Sequence, residues 1–288
     1  MHEPVLNARI GRTLPGPMLC TLPPLAAAPR RRLPLAWQLL LVLLLALWPH
    51  WVWIARRVTD GSDEPWGVVA AATVLALVVR DQRHLALPSR NALLASGALA
   101  FVAAAAALAV PPIFAAGIAM LALAVFLASA LPQRPAAPLA TLLLLALPVI
   151  ASLQFYLGYP LRALTAQAAA PLLAFAGIDA HATGAALAWD GGTVLVDPPC
   201  AGIGMLWVGS FTAALLSFLN GASARRTLLN GCVAAALVLV ANVLRNAVLF
   251  FPESGLVHWP DGAHRAIGLV AFALALVPLI ALCHRKST

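Results

Sequence analysis

The chain has 288 residues, of which 62% are hydrophobic and only 10% are charged, and its mean hydropathy is +0.92. This balance excludes an ordinary soluble domain. The formal net charge is +8, and we interpret it as a signal for membrane orientation and as an attraction to anionic lipid headgroups. No aromatic interleaving or nucleic-acid motif accompanies the basic residues, which argues against nucleic acid as a partner.

Apolar stretches of membrane-spanning length recur along the chain. A helix of about 20 residues crosses a hydrocarbon core of roughly 30 Å. We therefore predict an all-α polytopic membrane protein with about eight transmembrane helices. Seven stretches are clear, at 35–55, 91–110, 113–131, 139–156, 203–219, 228–251 and 265–283. The eighth, at 66–79, is short, and a re-entrant or peripheral helix is the alternative for it.

The distribution of positive charge predicts the orientation. With the N-terminus in the cytoplasm, 13 of the 18 Lys and Arg residues fall in inner segments, in agreement with the excess of basic residues in cytoplasmic loops. Both termini are then cytoplasmic. If the stretch at 66–79 did not cross, every segment before it would change sides and this agreement would be lost.

Four segments follow from this topology. Residues 1–34 form a basic cytoplasmic arm, 35–156 form the N-terminal transmembrane helices (a scaffold that offers a docking surface), 157–199 form an outer-face loop, and 200–288 form the last transmembrane helices with a short cytoplasmic tail. In the outer loop, 161–177 suits a helix lying at the membrane interface. The stretches 185–188 and 193–196 flank a turn of the Asp-Gly type, which predicts a small β-hairpin.

Cys200 lies where the chain enters the membrane from the outer face. In the run Asp197-Pro198-Pro199-Cys200-Ala201-Gly202 the prolines stiffen the approach, and the helix at 203–219 follows directly. The unpaired amides and the positive dipole end of a helix favour a thiolate, and Gly202 leaves room for another backbone. On position alone, a nucleophilic thiol and a small hydrophobic residue at a loop–helix junction are equally good interpretations.

Arg245 is placed about seven residues before Pro252, roughly 10 Å below the outer end of its helix by helical rise. A charged residue at such depth costs about 2.5 kcal/mol or more, which favours a functional group over an arginine that snorkels to the surface. Asn242 and Asn246 fall on the same helix face. We expect this polar stripe to face the bundle interior.

His264 begins the last helix, near the level of Cys200. An imidazole exchanges protons near neutral pH, so this residue is a candidate acid–base group. His258 lies in the same outer loop and is a rival for that task. The residues alone favour His264 only slightly.

Cysteine usage and the lack of ligand motifs argue against disulfides and metals. Of the four cysteines, Cys20 and Cys283 are expected in the cytoplasm and Cys232 within a helix, so Cys200 is predicted to be a free thiol. Neither His-Glu-x-x-His nor paired Cys-x-x-Cys occurs. No metal and no other cofactor is therefore predicted.

Three short motifs together resemble the exosortase and archaeosortase family. They are Cys-x-Gly at 200–202 opening a membrane helix, Asn-x-x-Arg at 242–245 late in the next helix, and His-x-x-x-Gly at 264–268 at the head of the last one. The resemblance covers roughly 157–283. It implies a multi-pass cysteine enzyme, a functional analogue of the soluble sortases without their fold, in the cytoplasmic membrane of a bacterium or an archaeon.

The same resemblance implies roles for individual residues. Cys200 would be the nucleophile, Arg245 would stabilise charge, and His264 would be the acid–base group, since the spacing to Gly268 favours His264 over His258. The expected function is an intramembrane cysteine protease or transpeptidase with its active site on the outer, periplasmic side. Residues expected to support this site or to contact the substrate are Asn242, Asn246, Gly202, Gly268 and Asp197.

The implied substrates are exported proteins whose C-terminal sorting tail combines a short Pro-containing motif, a transmembrane helix and a basic end. As a hypothesis, Asp63, Glu64 and Trp66 recognise them; the alternative is that topology alone leaves this loop outside. The loop at 60–67 lacks the Tyr-Ser-His-Gly sequence that many members carry there, and Ala201 stands where Ser is frequent. The subfamily therefore stays open.

Two other function classes stay open. A polar stripe around an intramembrane arginine is also typical of a transporter or an anion-binding protein, for which the thiol of Cys200 would be dispensable. In a noncatalytic assembly subunit, Cys200, Arg245 and His264 would each be dispensable.

Overall fold

A computed structural model shows the fold of residues 34–61, 63–260 and 262–284. The predicted cytoplasmic arm, apart from Pro34, and the last four residues lie outside this range. The helices of the described part are α1 (Leu35–Ala46), α2 (Trp48–Thr59), α3 (Trp66–Arg80), α4 (Arg90–Ala106), α5 (Pro112–Ala130), α6 (Ala136–Leu145), α7 (Ile150–Phe175), α8 (Ile203–Leu219), α9 (Ala224–Glu253) and α10 (Ala263–His284).

Among the described residues, four helices are long and apolar enough to cross a membrane, namely α5, α8 with the turn before it, α9 and α10. Two pairs, α1 with α2 and α6 with α7, qualify only when each pair is counted as one bent span, which raises the number to six. The apolar helices α3 and α4 are shorter. A mostly helical chain with membrane spans is therefore confirmed, and the structure supports four to six of the roughly eight predicted spans.

The span predicted at 35–55 is broken in the structure. α1 ends at Ala46, α2 begins at Trp48, and the two axes differ by 64°. Pro49 lies in the first turn of α2, where its missing N–H is tolerated, but it cannot continue the hydrogen-bond ladder of α1. The apolar run continues through the break, so hydropathy alone does not reveal it.

The span predicted at 139–156 is divided by a 90° bend between α6 and α7. Pro148 lies in the connection, and proline disfavours helix both at its own position and at the preceding residue. The interfacial helix predicted at 161–177 therefore starts earlier, at Ile150, and runs on to Phe175. Its exposed side chains include Phe155 and Tyr156, aromatic residues of the kind enriched at membrane interfaces.

Three short antiparallel strands, β1 (His181–Thr183), β2 (Ala186–Trp189) and β3 (Gly192–Leu195), follow α7. Trp189 pairs with Gly192 across the two-residue turn Asp190-Gly191, so the predicted hairpin is confirmed. β1 adds a third strand that the sequence pattern did not predict.

The sheet covers one end of the helix bundle. Leu187 and Val194 from the sheet pack in one hydrophobic cluster with Phe250 of α9 and with residues of α7. Trp189 makes an edge-to-face contact with Phe250, with ring centroids 5.9 Å apart. α9 also packs against α8 and α10. This end of the bundle therefore brings α7, α9, α10 and the turn after β3 together.

Candidate active site

Cys200 lies in a turn of 3₁₀-helix, Pro198–Ala201, between β3 and α8. The amide of Cys200 donates to the carbonyl of Asp197 at 2.8 Å, which closes this turn. Gly202 follows with φ +80° and is the N-cap of α8. That left-handed conformation suits glycine, and it turns the chain directly from Cys200 into the helix. The predicted position beside the start of a membrane helix is thus what the structure shows.

Two asparagines of α9 hold the carbonyl oxygen of Cys200. The Nδ2 group of Asn242 donates to it at 2.9 Å and that of Asn246 at 3.3 Å. Asn242 also lies 3.3 Å from the hydroxyl of Thr165 on α7, and Asn246 donates to the carbonyl of Asn242 at 2.8 Å. Both asparagines are buried, so this part of the predicted polar stripe faces the bundle interior.

The turn is also held from α7. Gln154 donates through Nε2 to the carbonyl of Pro198 at 2.7 Å. Two neighbouring carbonyls, at Pro198 and Cys200, are therefore fixed by side chains from two different helices. Such fixing keeps a reactive group in one geometry.

The side chain of Cys200 is buried, with 3% of the residue exposed. It packs among residues of the sheet, α7 and α9, including Leu187, Val196 and Phe250. Within the described part of the chain, Cys200, Cys232 and Cys283 are all free thiols.

Arg245 is half-buried on the same face of α9 as the two asparagines. Its Nη2 lies 3.5 Å from Nε2 of His264, and its Nε is buried without a hydrogen-bond partner. Gly268 of α10 faces the guanidinium, since a Cβ placed there would be 3.5 Å from Nε of Arg245. The two predicted groups on α9 and α10 therefore meet, and one donor of the guanidinium remains open.

His264 has a second charged neighbour, Glu253, at the end of α9. Its Nδ1 lies 3.6 Å from Oε1 of Glu253. We did not single out Glu253 from the sequence, although a residue eight positions after Arg245 on one helix returns to about the same face. This helical spacing from Arg245 is the feature of the sequence that could have indicated Glu253.

Arg245, Glu253 and Asp197 all interact electrostatically with the thiol of Cys200. The thiol makes no hydrogen bond to His264 among the residues that the structure describes. Arg245 is thus an electrostatic neighbour of the thiol, and its guanidinium also lies 3.5 Å from the imidazole. His258, the rival histidine, is exposed and has no hydrogen bond or ion pair with any other described residue.

The hypothetical recognition residues have different surroundings. Asp63 is buried and accepts hydrogen bonds from the amides of Glu64, at 2.8 Å, and Ala151, at 3.1 Å, so it caps the start of α7. Glu64 accepts a hydrogen bond from the indole N–H of Trp66. Glu64 also lines a cavity of about 550 Å³ beside the turn that carries Cys200, together with Gln154, Pro198 and Gly204.

No group of three His, Cys, Asp or Glu residues arranged to hold a metal ion occurs in the described ranges. Cys200, Arg245, His264 and Glu253 offer instead a thiol, a guanidinium, an imidazole and a carboxylate. These are the groups that covalent acyl transfer requires.

A comparison with protein families covers a longer part of the chain than the three short motifs do. The model for the transmembrane exosortase family matches residues 53–281, which is most of the chain and includes every residue of the site. The chain belongs to the transmembrane exosortase family. This family is generally one of membrane cysteine peptidases and transpeptidases. Comparisons with curated proteins and with solved structures gave no significant match.

The family match confirms the resemblance read from the three motifs and extends it into the N-terminal half. It starts at Trp53, so α3 to α6 belong to the matched region even though the sequence motifs lie later. This exosortase is accordingly a membrane protein by family and by its apolar helices.

Proposed function

We propose that this exosortase is an intramembrane cysteine protease or transpeptidase that removes the C-terminal sorting tail of exported proteins at the outer, periplasmic face. The observation that carries the proposal is the meeting of Arg245 and His264 beside the turn of Cys200, where Arg245 is an electrostatic neighbour of the thiol. A carrier or an assembly subunit has no need of a thiol at that point. The family membership supports the same reaction class.

In the proposed first step, Sγ of Cys200 attacks the carbonyl carbon of the scissile peptide bond. His264 accepts the thiol proton, and the C=O electron pair moves onto oxygen. The oxyanion that forms is stabilised by Arg245, whose buried Nε has no partner in the free protein. Removing one such donor typically costs about 100- to 1,000-fold in rate.

In the second step, the tetrahedral intermediate collapses and the C–N bond breaks. His264 gives its proton to the departing amine, so the released tail carries a neutral amino group and the enzyme holds a thioester. Water or a second nucleophile then attacks the thioester carbonyl and returns the proton to the thiol. The hydroxyl of water yields a free carboxylate, whereas an acceptor nucleophile yields a transfer product.

The proposal includes a topology. Counting both bent pairs and the short helices α3 and α4 as crossings gives eight, with both termini in the cytoplasm and the sheet on the outer side. The substrate would be an exported protein with a Pro-containing motif, a transmembrane helix and a basic end, held in the same bilayer. Its peptide would reach the buried thiol by displacing side chains of the covering sheet, such as Leu187.

The cavity lined by Glu64 offers a place for the motif that precedes the tail. It lies beside Pro198 and Gln154, one turn away from Cys200. In this hypothesis Glu64 and Trp66 contact the substrate, while Asp63 only holds α7. Replacing Glu64 and Trp66 together without any loss of processing would remove this part of the proposal.

The experiment is co-expression with an exported protein carrying such a tail, followed by immunoblotting for loss of the tail at equal enzyme levels. Cys200→Ala, Arg245→Ala and His264→Ala should each abolish or strongly reduce processing. Cys232→Ala is the matched control, because this cysteine is also free but lies within α9 away from the site. Processing that persists in Cys200→Ala would overturn the enzyme proposal and favour a transporter or an assembly subunit.

A further inference from the structure

The imidazole of His264 stands between two groups of opposite charge. On one side Nε2 lies 3.5 Å from Nη2 of Arg245, and on the other Nδ1 lies 3.6 Å from Oε1 of Glu253. We propose that Glu253 is a positioning residue that orients His264 and fixes its tautomer. This inference rests on the proposed function, because it assigns a role within the same site.

The chemistry of the two neighbours sets the tautomer. A guanidinium has only donors and an ionised carboxylate has only acceptors. His264 therefore presents a lone pair at Nε2, toward Arg245, and an N–H at Nδ1, toward Glu253. Nε2 is thus the nitrogen that can accept a proton once the guanidinium of Arg245 no longer donates to it.

The placement of Glu253 on its helix has no stabilising reason of its own. It is the last residue of α9, where a carboxylate meets the negative end of the helix dipole and is unfavourable. Its side chain is only 32% exposed, so it is also partly withdrawn from water. The histidine beside it offsets this cost when its ring is protonated.

Other carboxylates do not take this role in the described part of the chain. Asp197 is an electrostatic neighbour of both Cys200 and Glu253, but only Glu253 has an oxygen within 4 Å of the His264 ring nitrogens. The charged groups around the imidazole are therefore Arg245 and Glu253, both on α9, with Asp197 farther off before the turn.

The proton balance is simple. When the guanidinium of Arg245 turns to the developing oxyanion, the thiol proton of Cys200 passes to Nε2 of His264, whose ring then carries two N–H groups and a positive charge. Glu253 stays ionised and faces that charge until Nε2 gives its proton to the leaving amine. The hydrogen on Nδ1 never leaves the histidine.

The test compares processing kinetics of the full-length enzyme in detergent with a synthetic tail peptide, using wild type, Glu253→Gln and Glu253→Asp. Glutamine keeps the shape but loses the charge, and its amide can donate toward Nδ1 and favour the wrong tautomer. We expect Glu253→Gln to lower kcat at least about 10-fold, with an upper bound of the roughly 100- to 10,000-fold that a proton-transfer group contributes. KM should stay unchanged, and Glu253→Asp, which keeps the charge on a shorter chain, should recover part of the loss.

Two controls separate positioning from folding. Asp179→Asn removes an exposed carboxylate from the connection between α7 and β1 and should leave kcat unchanged. In a His264→Ala background, Glu253→Gln should have no further effect on the residual rate, because the residue acts through the imidazole. A purely structural role would instead reduce the amount of folded enzyme in both backgrounds.

The outcomes distinguish the two proposals. A wild-type kcat in Glu253→Gln, with Cys200→Ala inactive, would overturn the role of Glu253 and leave the proposed function intact. A Glu253→Gln loss that persists equally in the His264→Ala background would also overturn it. If Cys200→Ala retains processing, the proposed function itself fails.

Discussion

Asn242 of α9 donates a hydrogen bond of 2.9 Å to the carbonyl of Cys200, a residue 42 positions earlier in the chain. The bond fixes the turn that carries the thiol against the helix that carries Arg245. Since Arg245 is only three residues after Asn242, the same contact that holds the turn also sets the distance between thiol and guanidinium. In the Asn-x-x-Arg motif of this fold, the asparagine therefore holds the Cys200 turn in place, and the arginine is positioned by the same helix.

The variant Asn242→Ala should show whether Asn242 matters more for holding the Cys200 turn than for the stability of the whole protein. The variant loses the bonds to Cys200 and Thr165, and we expect about 1 kcal/mol of destabilisation, as for other buried hydrogen bonds between membrane helices. Processing per folded molecule should fall much further, because the turn is no longer held. Thermal unfolding in detergent and the tail-removal assay measure the two effects.

The matched control is Asn230→Ala on the same helix. Asn230 is also buried and donates to the hydroxyl of Ser217 at 2.9 Å, but it lies away from the site. It should lose similar stability and keep wild-type processing per folded molecule. Equal losses of activity in both variants would contradict the anchoring role of Asn242.

Gly202→Ala should be more damaging than an ordinary glycine substitution in a left-handed turn. An added Cβ would lie 2.8 Å from Cγ of Asn242, so the amide must move away from the carbonyl of Cys200. Gly221→Ala provides the comparison, since Gly221 has φ +67° but open space around an added Cβ. In both variants the left-handed conformation costs about 1–2 kcal/mol. Only Gly202→Ala should also lose processing.

Several parts of this fold and site could be predicted from the sequence, for physical reasons. The turn Asp190-Gly191 has the chemistry of a tight hairpin, and the helix at Ile203–Leu219 was predicted with the bounds that the structure shows. The burial of Asn242 follows from the cost of placing polar groups in lipid. These predictions depend on local chemistry or on depth in the membrane, and both can be inferred from a contiguous stretch of the sequence.

Other parts could not be predicted in this way. A hydropathic run reports how much apolar surface is present but not the direction of the helix axis, so the bends near Pro49 and Pro148 were missed. The contact between Glu253 and His264 crosses a loop between two helices and depends on how α9 and α10 pack. The hydrogen bond from Gln154 to Pro198 depends on the course of α7, which the predicted helix bounds did not give.

Gly268 should tolerate alanine but not a large side chain. A Cβ at this position would make an ordinary contact of 3.5 Å with Nε of Arg245, and alanine favours the helix by up to about 1 kcal/mol. A leucine would occupy the space of the guanidinium, so Gly268→Leu should reduce processing by about 100- to 1,000-fold, the typical cost of losing an oxyanion donor. Ala266→Leu, at an exposed position of the same helix, should process normally; a comparable loss there would show that α10 tolerates no added bulk.

Asp81 lies at the opposite end of the bundle from the sheet. It should make the stability of the protein depend on pH. It is buried and forms a two-pronged pair with Arg134, Nη2 to Oδ1 and Nε to Oδ2, each at 2.7 Å. The hydrogen bond from Arg134 is the main cause that lowers the pKa of Asp81, with the charges of Arg134 and Arg80 adding to it. A carboxyl whose pKa is lower in the folded state stabilises the fold above its unfolded value, about 3.9, and this contribution is lost as the pH falls through the folded value.

Asp81→Asn should therefore lower the free energy of unfolding by about 1.5–3 kcal/mol at neutral pH, the range for a hydrogen bond to a charged group. The difference from wild type should be constant from pH 7 to about 5 and shrink below about 4, where Asp81 of the unfolded wild-type chain becomes protonated before that of the folded chain. Thermal unfolding in detergent between pH 7 and 3 measures it, with Asp179→Asn as a control for the change of net charge. A difference that stays the same down to pH 3 would show that the Arg134 pair is not its source.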